Sequence, residues 1–405
     1  MGVSGEDVLT AIVLCLAMAL WPLLAFAGGA AFSPLTGLAA VLTAGASLPR
    51  LRPRLYMIAL FAFFVLAAVS LTWSPFKTPL VDFSNGAALS EVPRIGLLIL
   101  AAGAIIAATQ ALGSKSAQLI GRVAIGAFIV QVVIVVVLTL YERQAIEFFY
   151  PGRPDDEGVQ NISRNCLIMA AAFPFLALGL LEGRHRVLAI ALVTILFAAE
   201  AAVLIKREVH AGLLSMFTAA VFYGVVRLAP RQGFRLIGAA ISALIMSAPL
   251  VFPFITAGAN AVTATDSMTY RQAIWARVLE IIHDNPLLGQ GVGALRSYGD
   301  RIPEGVFANE LYIPNHPHNM LLQLWAEMGL AGAVLLSVAI LMAAFRLPAP
   351  ARLGRSAPRI AALTGVAVAI GVVSFDLWNP GWWGVVAMLA MLCAVQARVP
   401  GPDRG

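Results

Sequence analysis

Four charged or titratable residues occupy a short segment between two strongly apolar stretches of the sequence. They are Lys206, Arg207, Glu208 and His210. Charged side chains at a membrane boundary are costly unless they are paired or hydrated, so this group is a candidate functional site. Arg207 and His210 are three residues apart and would share one helix face. The alternative is that Lys206 and Arg207 only mark the interface and extend their charged ends into water.

A further arginine, Arg271, opens a predicted helix one turn before Trp275. Its guanidinium could make two parallel hydrogen bonds to a phosphate, whereas a lysine would offer only a point charge. Contact with a lipid headgroup is the alternative interpretation. The residue type therefore indicates an anion, from a substrate or from the membrane itself.

Two histidines stand close together in the sequence His316-Pro317-His318-Asn319, just before an apolar segment. A catalytic zinc site needs three protein ligands in a defined geometry, and near this segment only His210 and His283 remain as further histidines. This argues against a metal. A neutral imidazole is instead suited to accept a proton from a hydroxyl near neutral pH.

The elements that hold these residues are predicted to be membrane-spanning helices. Of the 405 residues 60% are hydrophobic and only 12% are charged, and the mean hydropathy is +0.87, which is typical of an all-α polytopic membrane protein. A span needs roughly 20 mostly apolar residues, and on this criterion the chain contains about 12. The predicted spans are 8–27, 31–49, 55–73, 95–112, 123–141, 165–181, 187–205, 211–227, 236–255, 320–345, 360–378 and 382–397.

The distribution of basic residues predicts the orientation of these spans. The short loops on one side hold most of the lysines and arginines, which places that side and both termini in the cytoplasm. The basic excess thus indicates topology rather than nucleic-acid binding. All long polar segments then face outward, the longest being residues 256–319, within a single domain of residues 1–405.

Within this long loop, residues 270–283 have apolar side chains at helical spacing and predict a short amphipathic helix. Asp266 or Ser267 could cap its start, and Asp284-Asn285-Pro286 would end it. The following run Gly289-Gln290-Gly291-Val292-Gly293 has no preceding strand and no Lys-Ser or Lys-Thr after it. It therefore predicts a tightly turned connection rather than a nucleotide-binding loop.

Several segments of the second half of the chain form a pattern in a defined order. They are Arg271 to Trp275, Pro286-Leu287-Leu288-Gly289-Gln290-Gly291-Val292-Gly293, His318-Asn319-Met320-Leu321-Leu322-Gln323 and Glu327-Met328-Gly329-Leu330-Ala331-Gly332. With ten residues between His318 and Gly329, the chain resembles the O-antigen ligase and polymerase family over residues 200–335. Trp73-Ser74-Pro75 and Asn165 are further points of resemblance.

The resemblance implies a GT-C-like helical bundle with one large periplasmic loop, in the inner (cytoplasmic) membrane of a bacterium. Members of the family transfer a glycan from a polyprenyl (undecaprenyl) diphosphate to an acceptor. The acceptor is lipid A core in ligases, as in lipopolysaccharide biosynthesis, and another glycan repeat in polymerases. For this chain we expect ligation to lipid A core, with repeat-unit polymerisation as the alternative. A small-anion transporter is the alternative from another class.

The resemblance also assigns roles to residues by motif. Arg207 and Arg271 would bind the donor diphosphate, and His318 would be the catalytic residue that activates the acceptor hydroxyl. The fourth residue after Arg207 is Ala211, where the family often has leucine, so Lys206 stays a candidate beside Arg207. Further supporting candidates are His210, His316 and Asn319.

No cofactor, metal or nucleic acid is expected, and direct displacement without a covalent intermediate would invert the anomeric centre. The expected partners are the lipid-linked glycan, the acceptor and membrane lipids. Three acidic residues lie in or beside apolar segments, and the sequence does not identify their partners. They are Glu200, Glu327 and Asp376.

Overall fold

The computed structural model describes residues 5–52, 54–82, 88–149, 155–183 and 185–399, without the side chains of residues 88 and 155–157. These residues are mostly helical. The α-helices in chain order are α1 (Gly5–Ala19), α2 (Trp21–Phe26), α3 (Phe32–Leu42), α4 (Ala44–Ser47), α5 (Tyr56–Ser70), α6 (Glu91–Ala108), α7 (Ser114–Leu140), α8 (Glu142–Phe149), α9 (Asp155–Leu181), α10 (Arg186–Lys206), α11 (His210–Leu228), α12 (Gly233–Ile255), α13 (Ser267–Asp284), α14 (Met320–Arg346), α15 (Pro350–Leu353), α16 (Ser356–Val373) and α17 (Pro380–Gln396). Two short strands, β1 (Val81–Asp82) and β2 (Ala88–Leu89), pair antiparallel.

The helices confirm a polytopic membrane protein, but the predicted number of 12 spans is not reached. In the described part of the chain nine helical segments are long and apolar enough to cross a membrane, or ten if one bent pair counts as a span. The bent pair lies in the predicted span 31–49, where α3 and the segment Ala44–Arg50 meet at 69°. At this bend the hydroxyl of Thr43 donates to the carbonyl of Ala39, which also accepts the helical hydrogen bond of the Thr43 amide.

Two other predicted spans, 55–73 and 382–397, form helices that are too short to count as spans. Helix α5 has 15 residues and α17 has 17. At about 1.5 Å per residue they extend for about 22 and 25 Å, less than the roughly 30 Å of a bilayer core. A hydropathy pattern counts apolar residues in the adjoining turns as well, which explains why both segments resembled complete spans.

Some loops that the basic residues assign to the same side contact one another. On the predicted cytoplasmic side Arg50 pairs with Glu6, and Arg359 pairs with Glu182. On the opposite side the carbonyl of Gly289 accepts a hydrogen bond from Trp73. The orientation of these sides in the membrane stays a prediction. Arg153, which the topology places outside, is not among the described residues.

Helix α13 contains the amphipathic helix predicted at residues 270–283. Asp266 is its N-cap, and its carboxylate accepts hydrogen bonds from the amides of Met268 and Thr269. The predicted apolar stripe is buried against α12 and α14, and its members are Ile274, Trp275, Val278, Ile281 and Ile282. The helix is thereby fixed on the spans instead of being free in the loop.

Helix α14 is interrupted at Gly329, whose φ of 58° and ψ of −158° are non-helical. The glycine run after α13 docks into this break. The amide of Gly291 donates to the carbonyl of Glu327, and the amide of Leu330 donates to the carbonyl of Pro286. A Cβ on Gly289 would lie 2.4 Å from the backbone carbon of Glu327, so a side chain there is excluded. The predicted tight connection is therefore a backbone-to-backbone joint that holds the long loop on α14.

Candidate functional site

A cavity of about 570 Å³ opens where α9, α10, α11 and α13 meet the segment before α14. Five of the predicted site residues line it, namely Arg207, His210, Arg271, His316 and His318. They come from three separate parts of the sequence. Two other candidates, Lys206 and Asn319, are not among the lining residues.

The connection between α10 and α11 places Arg207 at the cavity. Helix α10 ends at Lys206, and Glu208 has a positive φ of 55°, which stops the helix and turns the chain. Helix α11 then begins at His210. The turn directs Arg207 and His210 to the cavity, while the Lys206 ammonium donates to the carbonyl of Thr139.

The guanidinium of Arg207 is held by several partners. It forms an ion pair with Glu142, and it donates weakly to the carbonyl of Val159 and the hydroxyl of Ser163. Its side chain is 7% exposed, and its buried Nε makes no hydrogen bond to a residue that the structure describes. Arg207 is thus a fixed positive group whose charge is partly balanced by one carboxylate.

Arg271 differs from Arg207 in having no protein partner. Within the described ranges it makes no hydrogen bond and no ion pair, although burial lowers the pKa of its guanidinium. It lies in the first turns of α13, and the packing of Trp275 one turn later fixes this end of the helix against Phe252. A partly buried guanidinium without a partner among the described residues is a strong candidate for binding an anion from outside the protein.

Hydrogen bonds define the proton positions on the two histidines. The ring Nδ1 of His318 lies 3.1 Å from the carbonyl oxygen of Ser374, and since a carbonyl only accepts, this nitrogen carries the proton. The lone pair of neutral His318 is therefore on Nε2. The ring Nδ1 of His316 accepts from the amide of His318 at 3.1 Å, so neutral His316 carries its proton on Nε2. Only His318 thus presents an unprotonated Nε2.

The conformation of this segment is unusual at His318, which has a positive φ of 53°. Such backbone costs of the order of 1–3 kcal/mol and persists where the surroundings hold it. Here the carbonyl of Pro317 accepts a hydrogen bond from the buried indole of Trp275, and Asn319 caps α14 by accepting from the amides of Leu321 and Leu322. Asn319 therefore positions His318 rather than lining the cavity. The two imidazole rings lie edge to face, with their centroids 4.3 Å apart.

Both histidines are neutral in this environment. Burial, followed by the nearby Arg296, lowers the pKa of His316 to about 4. Burial, followed by His316 and Arg271, lowers the pKa of His318 to about 3, against a smaller opposing effect of the Ser374 carbonyl. A bound anion would offset the arginine charge and raise both pKa values.

Two contributors to this site were missed in the sequence. Arg164, at the start of the sixth predicted span, lines the cavity, and its guanidinium donates to the side-chain oxygen of Asn161. Its position beside a predicted span could have indicated it. Ser374 contributes a backbone carbonyl, for which no side-chain pattern exists.

Two of the three acidic residues whose partners were unknown, Glu327 and Asp376, belong to a separate buried network. Glu327 accepts hydrogen bonds from Trp378 at 2.6 Å and Gln323 at 3.2 Å, and Asp376 accepts from the amide of Trp378. Glu200 is also buried, and neither of its carboxyl oxygens bonds to a described residue. In the described ranges no group of three His, Cys, Asp or Glu side chains is arranged to hold a metal ion.

Residues 201–337, about a third of the chain, match the family model described as O-Antigen ligase. No curated protein matches the chain. The matched range contains α11 to α13 and the first part of α14, and with them Arg207, Arg271 and both histidines.

Proposed function

We propose that the chain is a membrane glycosyltransferase acting on a lipid-linked glycan, because residues 201–337 match the family model described as O-Antigen ligase. The donor would be a glycan on polyprenyl (undecaprenyl) diphosphate, and the acceptor a hydroxyl of lipid A core. The observation that carries this proposal is one cavity lined by Arg207, by the unpartnered Arg271 and by His318 with its free Nε2.

The two arginines would bind the donor diphosphate. A diphosphate is a good leaving group, so catalysis requires that the charge developing on it be stabilised by positive groups already in place. Arg207 is fixed by Glu142, and Arg271 is free to make two parallel hydrogen bonds to phosphate oxygens. Lys206 is bound to the carbonyl of Thr139 and is the weaker candidate for this role.

His318 would act as the general base. As the acceptor oxygen attacks the anomeric carbon, its proton passes to Nε2 of His318, and the bond from the anomeric carbon to the diphosphate breaks with both electrons leaving on the diphosphate. The imidazolium keeps its Nδ1 hydrogen bond to the Ser374 carbonyl and later releases the proton to water. One displacement of this kind inverts the anomeric centre and uses no metal or cofactor.

Polymerisation of glycan repeats is the same reaction with a different acceptor and stays the alternative. A small-anion transporter would also use an arginine cavity, yet it would not need an imidazole whose unprotonated nitrogen faces a substrate. The site is proposed to face the periplasm of a bacterial inner membrane, with both termini in the cytoplasm.

Reconstitution tests the proposal directly. The purified protein in lipid nanodiscs is given a polyprenyl diphosphate glycan with either lipid A core or excess donor as acceptor. Transfer releases free polyprenyl diphosphate and extends the acceptor, whereas a transporter releases none. A variant of Arg277, which is on α13 but pairs with Glu280 outside the cavity, serves as the matched control for Arg271. Absence of release with both acceptors would contradict the proposal.

A further inference from the structure

A second, smaller cavity of about 280 Å³ adjoins the first. It is enclosed by the turn between α2 and α3, the start of α6, α9 and the start of α17. Its polar lining includes Arg94, Arg164, Asn379 and Trp382. Its volume is close to the lower end of the range for ligand sites, about 300 Å³.

Both arginines of this cavity are exposed side chains whose guanidinium groups donate to oxygen atoms of the protein. The Arg94 guanidinium donates to the carbonyl of Leu89 at 2.8 Å, and that of Arg164 donates to the side chain of Asn161 at 3.3 Å. Neither forms an ion pair with a carboxylate among the side chains that the structure describes. The cavity therefore presents two oriented positive groups that a negatively charged ligand would complete.

A buried donor at the same cavity lacks a partner. Trp382 is 2% exposed, and its indole N–H makes no hydrogen bond within the described part of the chain. Its ring is stacked on Phe375 at 5.0 Å, so the side chain is fixed rather than free to reach water. A buried N–H without a partner is rare in native proteins, so a ligand oxygen at this wall would satisfy a donor that the described residues leave unpaired.

The wall of the cavity is built for close contact with Arg164. Gly28 and Gly29 have φ values of 76° and 83°, and a Cβ on Gly28 would lie 2.5 Å from the Asn161 oxygen that orients Arg164. Only glycine fits this turn. The backbone at Gly28 thus lies against Asn161, the residue that orients Arg164, and no side chain at Gly28 or Gly29 fills the cavity.

The two cavities share part of their lining, namely Arg164, Phe375 and Asn379. Phe375 follows Ser374, whose carbonyl holds His318. In a single displacement the acceptor must approach the anomeric carbon from the side opposite the leaving diphosphate. Arg207 and Arg271, which bind that diphosphate in our proposal, do not line the second cavity, so an acceptor there does not compete with the donor for them.

We propose that the second cavity is the acceptor subsite and that it binds a sugar carrying a phosphate or carboxylate group near the accepting hydroxyl. This inference rests on the proposed function for the role of the first cavity. The anionic group would bind Arg94 and Arg164, with the indole of Trp382 donating to a sugar or anion oxygen. A neutral acceptor would leave the charge of both arginines without a counterion.

Binding of small probes separates this inference from catalysis. The full-length protein in nanodiscs is titrated with glucose 6-phosphate, glucuronate and glucose, and binding is followed by saturation-transfer NMR. We expect at least one anionic probe to bind about 10-fold or more tightly than glucose, because two charged hydrogen bonds are gained. The phosphate and carboxylate arms identify which anion is preferred. If neither probe binds more tightly than glucose, the inference is overturned.

Variants locate the anion within the protein. Arg94→Gln and Arg164→Gln should each abolish the preference for the anionic probe, whereas Arg271→Lys and the control Arg277→Gln should retain it. Loss of the preference in Arg271→Lys but not in Arg94→Gln would place the anion in the first cavity and refute the subsite.

Transfer kinetics complete the test. With a phosphorylated acceptor, Arg94→Gln should raise the acceptor KM about 10- to 100-fold and leave the donor KM unchanged, since the lost charged hydrogen bonds belong to the acceptor. A rise in donor KM alone would contradict the inference. If the wild-type protein binds the anionic probe through Arg94 and Arg164 but transfers no glycan, the proposed function fails and the anion site stands.

Discussion

The two neighbouring histidines should respond very differently to substitution if His318 is the base. His318 presents an unprotonated Nε2 because its Nδ1 donates to the Ser374 carbonyl, whereas His316 accepts at Nδ1 and is protonated at Nε2. His318→Asn is the informative change. Asparagine tolerates the positive φ at this position better than most residues, so it removes the base without adding backbone strain.

The expected losses can be estimated from these roles. Removal of a general base reduces the rate about 10²- to 10⁴-fold, or about 2.7–5.4 kcal/mol in transition-state stabilisation. His316→Ala removes one hydrogen bond to the amide of His318, which contributes about 1 kcal/mol and would cost about fivefold in rate. The His318 variant should therefore be at least 20 times slower than the His316 variant, a difference of about 1.8 kcal/mol.

Single-turnover transfer from a radiolabelled polyprenyl diphosphate glycan measures both rates, and a separate binding titration measures donor affinity. Donor affinity should stay within about threefold of wild type in both variants, because the arginines are intact. The measurements are repeated with EDTA. Equal losses at both positions together with inhibition by the chelator would indicate a histidine-bound metal and refute the base mechanism.

Three further predictions concern binding, pH and topology. Arg271→Lys should weaken donor binding about 10- to 100-fold, because a lysine cannot make the two parallel hydrogen bonds of the planar guanidinium. The control Arg277→Lys should have no effect on donor binding. Equal donor affinity in both variants would exclude this role of Arg271. Since the pKa of His318 in the empty site is about 3, its ring stays neutral well below pH 6.5, so kcat/KM should be flat from pH 5 to 7. The anionic donor should raise that pKa, and the acid limb of kcat should lie at higher pH than that of kcat/KM; a kcat/KM that falls with a pKa near 6.5 would argue against a buried base. A membrane-impermeant thiol reagent should label Arg153→Cys but not Arg355→Cys in intact cells, and labelling of the second would reverse the orientation.

Much of the arrangement was accessible from the sequence because it depends on local patterns. The helix α13 follows from apolar residues at helical spacing and from a capping aspartate, Asp266. Both signals depend on neighbouring residues and need no knowledge of the rest of the fold. The convergence of Arg207, Arg271 and His318 on one cavity was predicted differently, through resemblance to a family, since no local rule relates three segments so far apart.

The features that the sequence did not predict depend on long-range geometry. The role of Ser374 belongs to its backbone carbonyl. Every residue has a backbone carbonyl, so the residue type carries no signal. Arg164 resembled an ordinary charge at the end of a span, and its place between two cavities follows from the packing of α9 against α11 and α16. The bend at Thr43 was missed for the same reason. Its side-chain hydrogen bond is local, but the spacing of apolar residues does not show which helices pack beside it.

The residues of the family pattern divide into those that could react and those that hold them. Gly289 and Gly291 take positive φ values and contact the carbonyls and amides around Gly329. The glycines of the pattern therefore form a backbone-to-backbone joint and are not a ligand site. The joint fixes the end of α13 and the start of α14 relative to each other. Arg271 lies at the other end of α13, and His318 lies two residues before α14. A rigid connection between these helices therefore fixes the relative positions of the anion-binding arginine and the base, which explains why residues without reactive groups belong to the same pattern as residues that have them.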